Sequence, residues 1–78
     1  MPIAFVLINT EMGSETEVLN SLHKIGNIKE AHIVYGVYDI ITRVEADTVD
    51  QIKDIITWKI RRLNKVRSTL TMMAVQGQ

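Results

Sequence analysis

The segment 35–40 combines two residue types that suit the binding of a small charged ligand. Gly36 allows backbone torsions that are closed to other residues, so a turn here can direct successive amide groups outward as an anion-binding nest. Asp39 follows in the same segment, and its carboxylate can accept hydrogen bonds from an ammonium group. The turn is therefore a candidate site for a zwitterion, with amides binding the carboxylate and Asp39 binding the ammonium. Its residues are Gly36, Val37, Tyr38 and Asp39.

Turn chemistry offers a second interpretation of the same residues. In this interpretation Gly36 merely permits a tight hairpin and Asp39 caps a loop amide. These are the more frequent roles of the two residue types. The local sequence leaves both interpretations open.

Other polar side chains give weaker indications. Ser68, Thr69 and Thr71 could offer hydroxyls to a ligand, although threonine is first of all a good strand former. His23 and His32 have no third ligand at a spacing typical of metal sites, so we predict no metal. Because no nucleophile, His–carboxylate pair or cofactor loop stands at a recognisable spacing, we expect no catalytic residue, no cofactor and no enzymatic activity.

A basic cluster follows Trp58, although the nine basic and nine acidic residues of the chain cancel. The cluster is Lys59, Arg61, Arg62, Lys65 and Arg67. Cations at a helix end complement its macrodipole and remain solvated, which is the commoner explanation. An acidic partner or a phosphate-bearing ligand is the alternative. Trp58 lies off the main apolar stripe of its helix, and we expect it to anchor a contact between subunits rather than to flank the core.

Hydrophobic periodicity predicts the elements that position these residues. The uninterrupted apolar run over 2–10 is typical of a central strand covered on both faces. Ser14 and Glu17 match a capping box that starts a helix, and the helix is expected to run to Ile25 and end at a left-handed Gly26.

Alternating patterns over 28–34 and 38–44, separated by a break, predict a β-hairpin. Asp47 is then a plausible cap of a second helix, whose broad apolar face extends over 49–63.

Asn64 is a tolerable left-handed terminator, after which the β-branched pattern of 66–75 predicts a last strand and 76–78 a frayed tail. The order βαββαβ predicts an α+β, ferredoxin-like fold in which two helices cover one face of a four-stranded antiparallel sheet. The length allows one domain, 1–78, and the low aromatic content of 5% implies an aliphatic core.

The first strand is apolar on both sides, although two helices can cover only one face of the sheet. An uncovered apolar face costs about 25 cal/mol per Å² relative to burial. We therefore predict that two copies pack sheet to sheet in an isologous homodimer. The two rows of side chains are Ile3, Phe5 and Leu7 against Ala4, Val6 and Ile8.

The chain has no cysteine, and its start shows no charged region followed by an apolar one. We therefore expect a cytoplasmic protein. Its longest apolar run is far shorter than the ~20 residues that a membrane helix needs, so we expect no membrane role.

Two motifs together carry a resemblance to a known family. The first is Gly36-x-Tyr38-Asp39-Ile40-Ile41, and the second is Val66-Arg67-Ser68-Thr69-x-Thr71, with a helix ending at 60–63 between them. In this order and spacing the chain resembles, over essentially its whole length, the effector (RAM) domain of leucine-responsive/AsnC (Lrp/AsnC) regulators.

The resemblance implies that the domain dimerises through its sheets and that the dimers assemble into octamers or decamers. It also implies that a small amino acid binds between dimers. The turn carrying Gly36, Tyr38 and Asp39 would contact this effector, and an adjacent subunit would contribute the strand with Ser68, Thr69 and Thr71.

The sequence departs from the family pattern in two places. Asn64-Lys65 replaces a common Pro-Gly before the last strand. Regulators of this family also carry an N-terminal helix-turn-helix that reads the major groove, whereas this chain begins at the first strand. We therefore expect no direct DNA binding. The resemblance implies a stand-alone module that senses amino acids and co-assembles with full-length regulators, or a truncated regulator.

Two other classes of function remain as alternatives. One is a dimeric ferredoxin-like enzyme of the monooxygenase or isomerase type, which an enclosed cavity with His32 and a carboxylate in hydrogen-bond reach would favour. The other is a purely structural oligomerisation domain, whose assembly would not depend on a ligand.

Overall fold

The computed structural model of the protein describes residues 1–75, so the predicted fraying of 76–78 lies outside the described residues. The elements follow the order βαββαβ, which confirms the predicted succession. The strands are β1 (Ile3–Thr10), β2 (Ile28–Ile33), β3 (Ile40–Glu45) and β4 (Val66–Met73). The helices are α1 (Glu15–His23) and α2 (Val49–Ile55), and α2 continues directly into a π-helical segment, Ile56–Ile60.

The four strands form one sheet in the order β2-β3-β1-β4, and all neighbouring pairs are antiparallel. β1 is therefore a central strand, as its uninterrupted apolar run predicted. β2 and β4 are the edge strands. The predicted α+β, ferredoxin-like fold is confirmed.

The core lies between one face of the sheet and the helices, and it is aliphatic. Every second residue of β1 points into it, and the buried hydroxyl of Thr42 donates a hydrogen bond to the carbonyl oxygen of Val6 at 3.1 Å. This polar group in the middle of the sheet is thereby satisfied. The largest buried apolar side chains are Val6, Ile8, Val18, Leu22, Ile40, Val44, Ile52 and Ile60.

The opposite face of the sheet is apolar along its β1–β4 half. Phe5 pairs with Met72, and Leu7 pairs with Leu70. Phe5, Leu70 and Met72 are 37%, 44% and 48% exposed, which is unusual for such large apolar side chains on one continuous surface. We call the surface formed by Ile3, Phe5, Leu7, Leu70 and Met72 the open face.

The ends of α1 differ from the prediction. Ser14 has φ −105° and ψ 11°, rather than the extended backbone of a capping residue, and its side chain makes no capping hydrogen bond. The helix ends at His23, and Gly26 has no positive φ. The amide of Ile25 instead donates to the carbonyl of Leu22 at 3.0 Å, and this tight turn satisfies the helix end without a left-handed glycine.

The cap of α2 is Thr48, not Asp47 as predicted. Thr48 has the extended torsions of a cap, and its hydroxyl accepts a hydrogen bond from the amide of Gln51 at 3.1 Å. The Gln51 side chain in turn accepts from the Thr48 amide at 3.3 Å. Thr48 and Gln51 thereby satisfy each other's free amide, which is the reciprocal arrangement of a capping box.

The connection into β4 also corrects the prediction, because Lys65 rather than Asn64 has the left-handed backbone, with φ 76°. The amide of Val66 donates to the carbonyl of Leu63 at 3.3 Å and closes a four-residue turn. Lys65 is the third residue of this turn, where type II turns require a positive φ and favour glycine.

Candidate functional site

The carboxylate of Asp39 lies at the end of β1. Its Oδ2 accepts a hydrogen bond from the backbone amide of Thr10 at 2.8 Å and one from the Thr10 hydroxyl at 3.4 Å. The amide of Asp39 donates to the carbonyl oxygen of Ile8 at 3.0 Å, which fixes the residue against the central strand. Asp39 therefore does satisfy a backbone amide, and in the described part of the chain no side-chain hydrogen bond ends on its Oδ1.

A β-bulge lies beside Asp39. β1 and β4 pair Asn9 with Ser68 and then Thr10 with Val66, so that Arg67 is an extra residue on β4. A bulge redirects the side chain of the inserted residue and increases the local twist. Arg67 is thus directed toward the end of the sheet at which Asp39 lies.

A cavity of about 230 Å³ is formed where these residues meet, lined by Asn9, Thr10, Asp39, Arg67 and Ser68. The Asn9 amide donates to the Ser68 hydroxyl at 3.3 Å. Asp39 and Arg67 carry opposite charges, yet none of the ion pairs in the described part of the chain involves either side chain. The cavity thus offers a carboxylate and a guanidinium at the same time, together with amide and hydroxyl groups.

The turn before Asp39 does not reach this cavity. Gly36 has φ 157°, a conformation that side chains rarely allow, and Val37 is 87% exposed. Tyr38 is half-buried. Gly36, Val37 and Tyr38 are absent from the lining of the cavity, although they precede Asp39 directly. Their role as ligand-binding residues remains a prediction.

The three predicted hydroxyl residues of β4 line two adjoining sites, and Ser68 lines both. Ser68 pairs with Asn9 and lies in the cavity beside Asp39. Thr69, which pairs with Ile8, and Thr71 lie on the helix side of the sheet. They line an adjoining groove together with Ser68, Arg61 and Arg67. The structure thus brings Asp39 and Ser68 together within one chain, and places the two threonines elsewhere.

Arg67 and Asn9 are not among the ligand-binding candidates predicted from the sequence, although both line the cavity beside Asp39. The sequence places Arg67 only within a basic cluster, either solvated or facing an acidic partner or phosphate, because a bulge between two distant strands leaves no local pattern. Asn9 breaks the apolar run of β1 at the end that faces Ser68, and this polar interruption is a signal that could have been used.

Trp58 lies in the π-helical segment and is 61% exposed. The guanidinium carbon of Arg62 stands 5.4 Å from the centroid of its ring, within the range of cation–π attraction. Trp58 also lines an open cavity of about 540 Å³ with Asp54 and Lys59 among others. An exposed tryptophan of this kind suits a contact between subunits, which remains a prediction.

A charged network occupies the β2–β3 half of the sheet surface beside the open face. Glu30 accepts a hydrogen bond from Nε of Arg43 at 2.7 Å and lies 3.3 Å from Nε2 of His32, while Arg43 also pairs with Glu45. The Arg43 guanidinium, and next the His32 ring, hold the pKa of Glu30 below its ordinary value. His32 therefore has a carboxylate in reach, but both side chains are more than half exposed. This exposed pair does not form the enclosed cavity that would favour the enzyme alternative.

The residues that the structure describes contain neither a metal-binding cluster nor a membrane-spanning helix. Among residues 1–75 no three His, Cys, Asp or Glu side chains are grouped so that they could hold a metal ion. No helix in this part of the chain combines the length and apolar character needed to cross a membrane.

Comparison with known proteins places the chain in a family. Residues 3–77 match the family model of the Lrp/AsnC ligand binding domain. An uncharacterised HTH-type transcriptional regulator of Pyrococcus furiosus is 35% identical over 74 residues, which cover 91% of this chain and 49% of the relative. The chain spans about half the length of the curated relatives it matches.

Solved structures share the fold. A hypothetical protein from Pyrococcus horikoshii is 42% identical, with a TM-score of 0.91 over 99% of this chain and 93% of that chain. A transcriptional regulator from Neisseria meningitidis, solved as a complex with L-Met, shares the fold alone. It superposes with a TM-score of 0.85 at 10% identity, over 96% of this chain and 50% of that chain. The resemblance carried by the two sequence motifs is thus confirmed, and the chain belongs to the Lrp/AsnC ligand-binding domain family.

Proposed function

We propose that the protein is an effector-sensing and oligomerisation module of the Lrp/AsnC transcription-regulator type, which binds a small amino acid between its dimers. The proposal is supported by its regulator relatives and by the L-Met complex of the Neisseria meningitidis regulator. The ligand would alter how dimers associate, because a ligand shared between subunits binds one assembly state more tightly than the other.

The observation that carries the proposal is that a carboxylate, Asp39, and a guanidinium, Arg67, both line the cavity of about 230 Å³. A free amino acid carries one ammonium and one carboxylate group. The α-ammonium would donate to Oδ1 of Asp39, since the hydrogen bonds from Thr10 end on Oδ2. The α-carboxylate would bind the guanidinium of Arg67, which can bind a carboxylate with two parallel hydrogen bonds. Arg67 is a stronger candidate for this role than the turn amides, because it lines the cavity and Gly36 does not.

The surroundings of the cavity support binding between dimers. Tyr35 is fully exposed and Val37 nearly so, at the tip of the loop that ends in Asp39. Exposed apolar side chains at a loop tip are suited to contact with another subunit. The effector side chain would be enclosed by this contact, with Thr69 or Thr71 of the neighbouring dimer as further candidates.

The assembly would be built in two steps. Two copies would pack through their open faces into a homodimer, and dimers would then associate into octamers or decamers. Full-length Lrp/AsnC regulators are proposed partners.

Isothermal titration with each of the twenty amino acids tests the sensing role. We expect at least one to bind, and we expect Asp39→Asn to weaken that binding about tenfold or more, because an ammonium loses its charged partner. The asparagine side chain would still offer an acceptor to the Thr10 amide, so the fold should persist. The matched control is Asp47→Asn, which removes the same charge from an exposed residue outside the cavity and should bind as the wild type does.

Native mass spectrometry with and without a mixed amino-acid pool reads the assembly and its occupancy together. A shift in the number of dimers on binding is expected. If no amino acid binds and the protein forms the same oligomer in both conditions, it is a structural oligomerisation domain and the sensing proposal is wrong.

A further inference from the structure

A second polar site lies between the C-terminal end of the second helix and β4. This groove of about 470 Å³ is lined by Ile56 and Val66 at its apolar side and by polar side chains elsewhere. We call it the arginine groove. Its polar members are Arg61, Arg67, Ser68, Thr69 and Thr71.

The charge of the arginine groove is uncompensated within the described part of the chain. Arg61 and Arg67 both line it, and no carboxylate of residues 1–75 does. The ion pairs found among these residues use neither guanidinium. The surrounding segment 59–67 holds five cations and no acidic residue. The negative pole of a helix is equivalent to about half an elementary charge, so it balances only a fraction of this positive charge.

Hydroxyl groups complete the site. Thr69 is half-buried and Thr71 exposed, and they lie on the helix side of β4, an edge strand of the sheet. In the part of the chain that the structure describes, no side-chain hydrogen bond involves either hydroxyl. Both are therefore free to donate to an acceptor in the groove.

We propose that the arginine groove binds a compact dianion, such as a phosphate ester or a dicarboxylate. Planar guanidinium groups match the oxygens of phosphate and carboxylate, and charge-assisted hydrogen bonds of this kind are the strong ones. The hydroxyls of Thr69 and Thr71 would bind further oxygens of the same group. The arginine groove adjoins the cavity proposed for the amino acid, and Arg67 and Ser68 line both.

Thermal unfolding and calorimetric titration of the full chain test this site, at an ionic strength held constant with KCl. The probes are inorganic phosphate, AMP and succinate. We expect at least one to raise the unfolding temperature above that in KCl alone. Binding of phosphate and AMP would identify a phosphate site, and binding of succinate would identify a dicarboxylate site.

Variants separate specific binding from general charge. Arg61→Gln is expected to weaken binding of the probe about tenfold or more, and Thr71→Val to weaken it by a smaller factor. The matched control is Arg62→Gln, which removes the same charge from the neighbouring residue. Arg62 lies over Trp58, outside the groove, so its loss should change the affinity less than about twofold. Asp39→Asn should weaken amino-acid binding without weakening the binding of phosphate, because Asp39 does not line the arginine groove.

Two results would overturn the proposal. The first is that none of the three probes stabilises the protein more than KCl does. The second is that Arg61→Gln and Arg62→Gln weaken binding equally, since this would show that the probes respond to general charge and not to the groove.

Discussion

Asp39 has a structural task that is independent of any ligand. The bulge in β4 changes the pairing at the end of β1, and the carboxylate of Asp39 accepts the hydrogen bond of the Thr10 amide there. Thr10 is only 4% exposed, so an unpaired amide at this residue would be costly. The two interpretations of Asp39 are therefore compatible, because one carboxylate oxygen serves the fold and the other is open to a ligand.

Replacement of Asp39 by alanine should lower the free energy of unfolding by about 2 kcal/mol, because a partly buried donor loses its charged acceptor. Asp39→Asn should lose less, since an amide oxygen can still accept from Thr10. Urea denaturation measures both values. Asp47→Ala, at an exposed position, is the control and should change stability by less than about 0.5 kcal/mol. Equal stability of Asp39→Ala and the wild type would show that the Thr10 hydrogen bond contributes nothing.

At the scale of elements, the turn between the second helix and β4 has a strained backbone at one residue. Lys65 has φ 76°, in a region that costs a residue with a side chain about 1–2 kcal/mol. The family often has Pro-Gly where this chain has Asn64-Lys65, and these two residue types match the second and third positions of a type II turn. The amide of Glu11 donates to the carbonyl of Lys65 at 2.9 Å, which helps to hold the strained residue in place.

Lys65→Gly should raise the free energy of unfolding by about 0.5–1 kcal/mol, because the relief of strain exceeds the entropy cost of glycine. The control is Asn64→Gly at the preceding position, which does not have a positive φ and should lose stability. Urea or thermal denaturation compares the two. A loss of stability in Lys65→Gly would mean that the lysine side chain makes a contribution larger than the strain.

At the scale of the whole molecule, the uncovered side of the sheet is divided into two halves. The β1–β4 half is the apolar open face, and the β2–β3 half carries the network around Glu30 and Arg43. Burial of the open face is favourable by about 25 cal/mol per Å². The charges of the β2–β3 half are partly neutralised by their own ion pairs. Covering this half with a second copy therefore costs less desolvation free energy than covering unpaired charges would.

Met72→Glu should convert the proposed dimer into monomers, because it places two carboxylates in an apolar contact around a twofold axis. Sedimentation velocity or native mass spectrometry measures the mass. The control is Val49→Glu, which puts the same charge at an apolar helix residue that is 42% exposed and should leave the mass unchanged. A wild-type protein that is monomeric, or a Met72→Glu variant that keeps the wild-type mass, would contradict association through the open face.

The sequence by itself determined the order of elements, the central place of β1, the aliphatic core and the family. Each of these follows from periodicities and motifs that are short compared with the chain. The pairing of Leu7 with Leu70 on an uncovered face agrees with the alternation read from both strands. Asp39 and Ser68, both predicted to bind the ligand, line one cavity within a single chain, whereas the family resemblance implied that they come from different subunits.

Only the tertiary structure decided that the opposite charges of Asp39 and Arg67 line one cavity. Arg67 lines the same cavity as Asp39 because β4 has one residue more than β1 at the bulge, and Asp39 meets a Thr10 that is 29 residues away in sequence. Thr48 rather than Asp47 caps its helix, and Lys65 rather than Asn64 takes the left-handed torsion. At the helix cap and at the left-handed residue, two adjacent residues are both suitable, and the local sequence pattern does not show which of them takes the role. The register of strands that are distant in sequence, and the hydrogen bonds available around each residue, select one of the two.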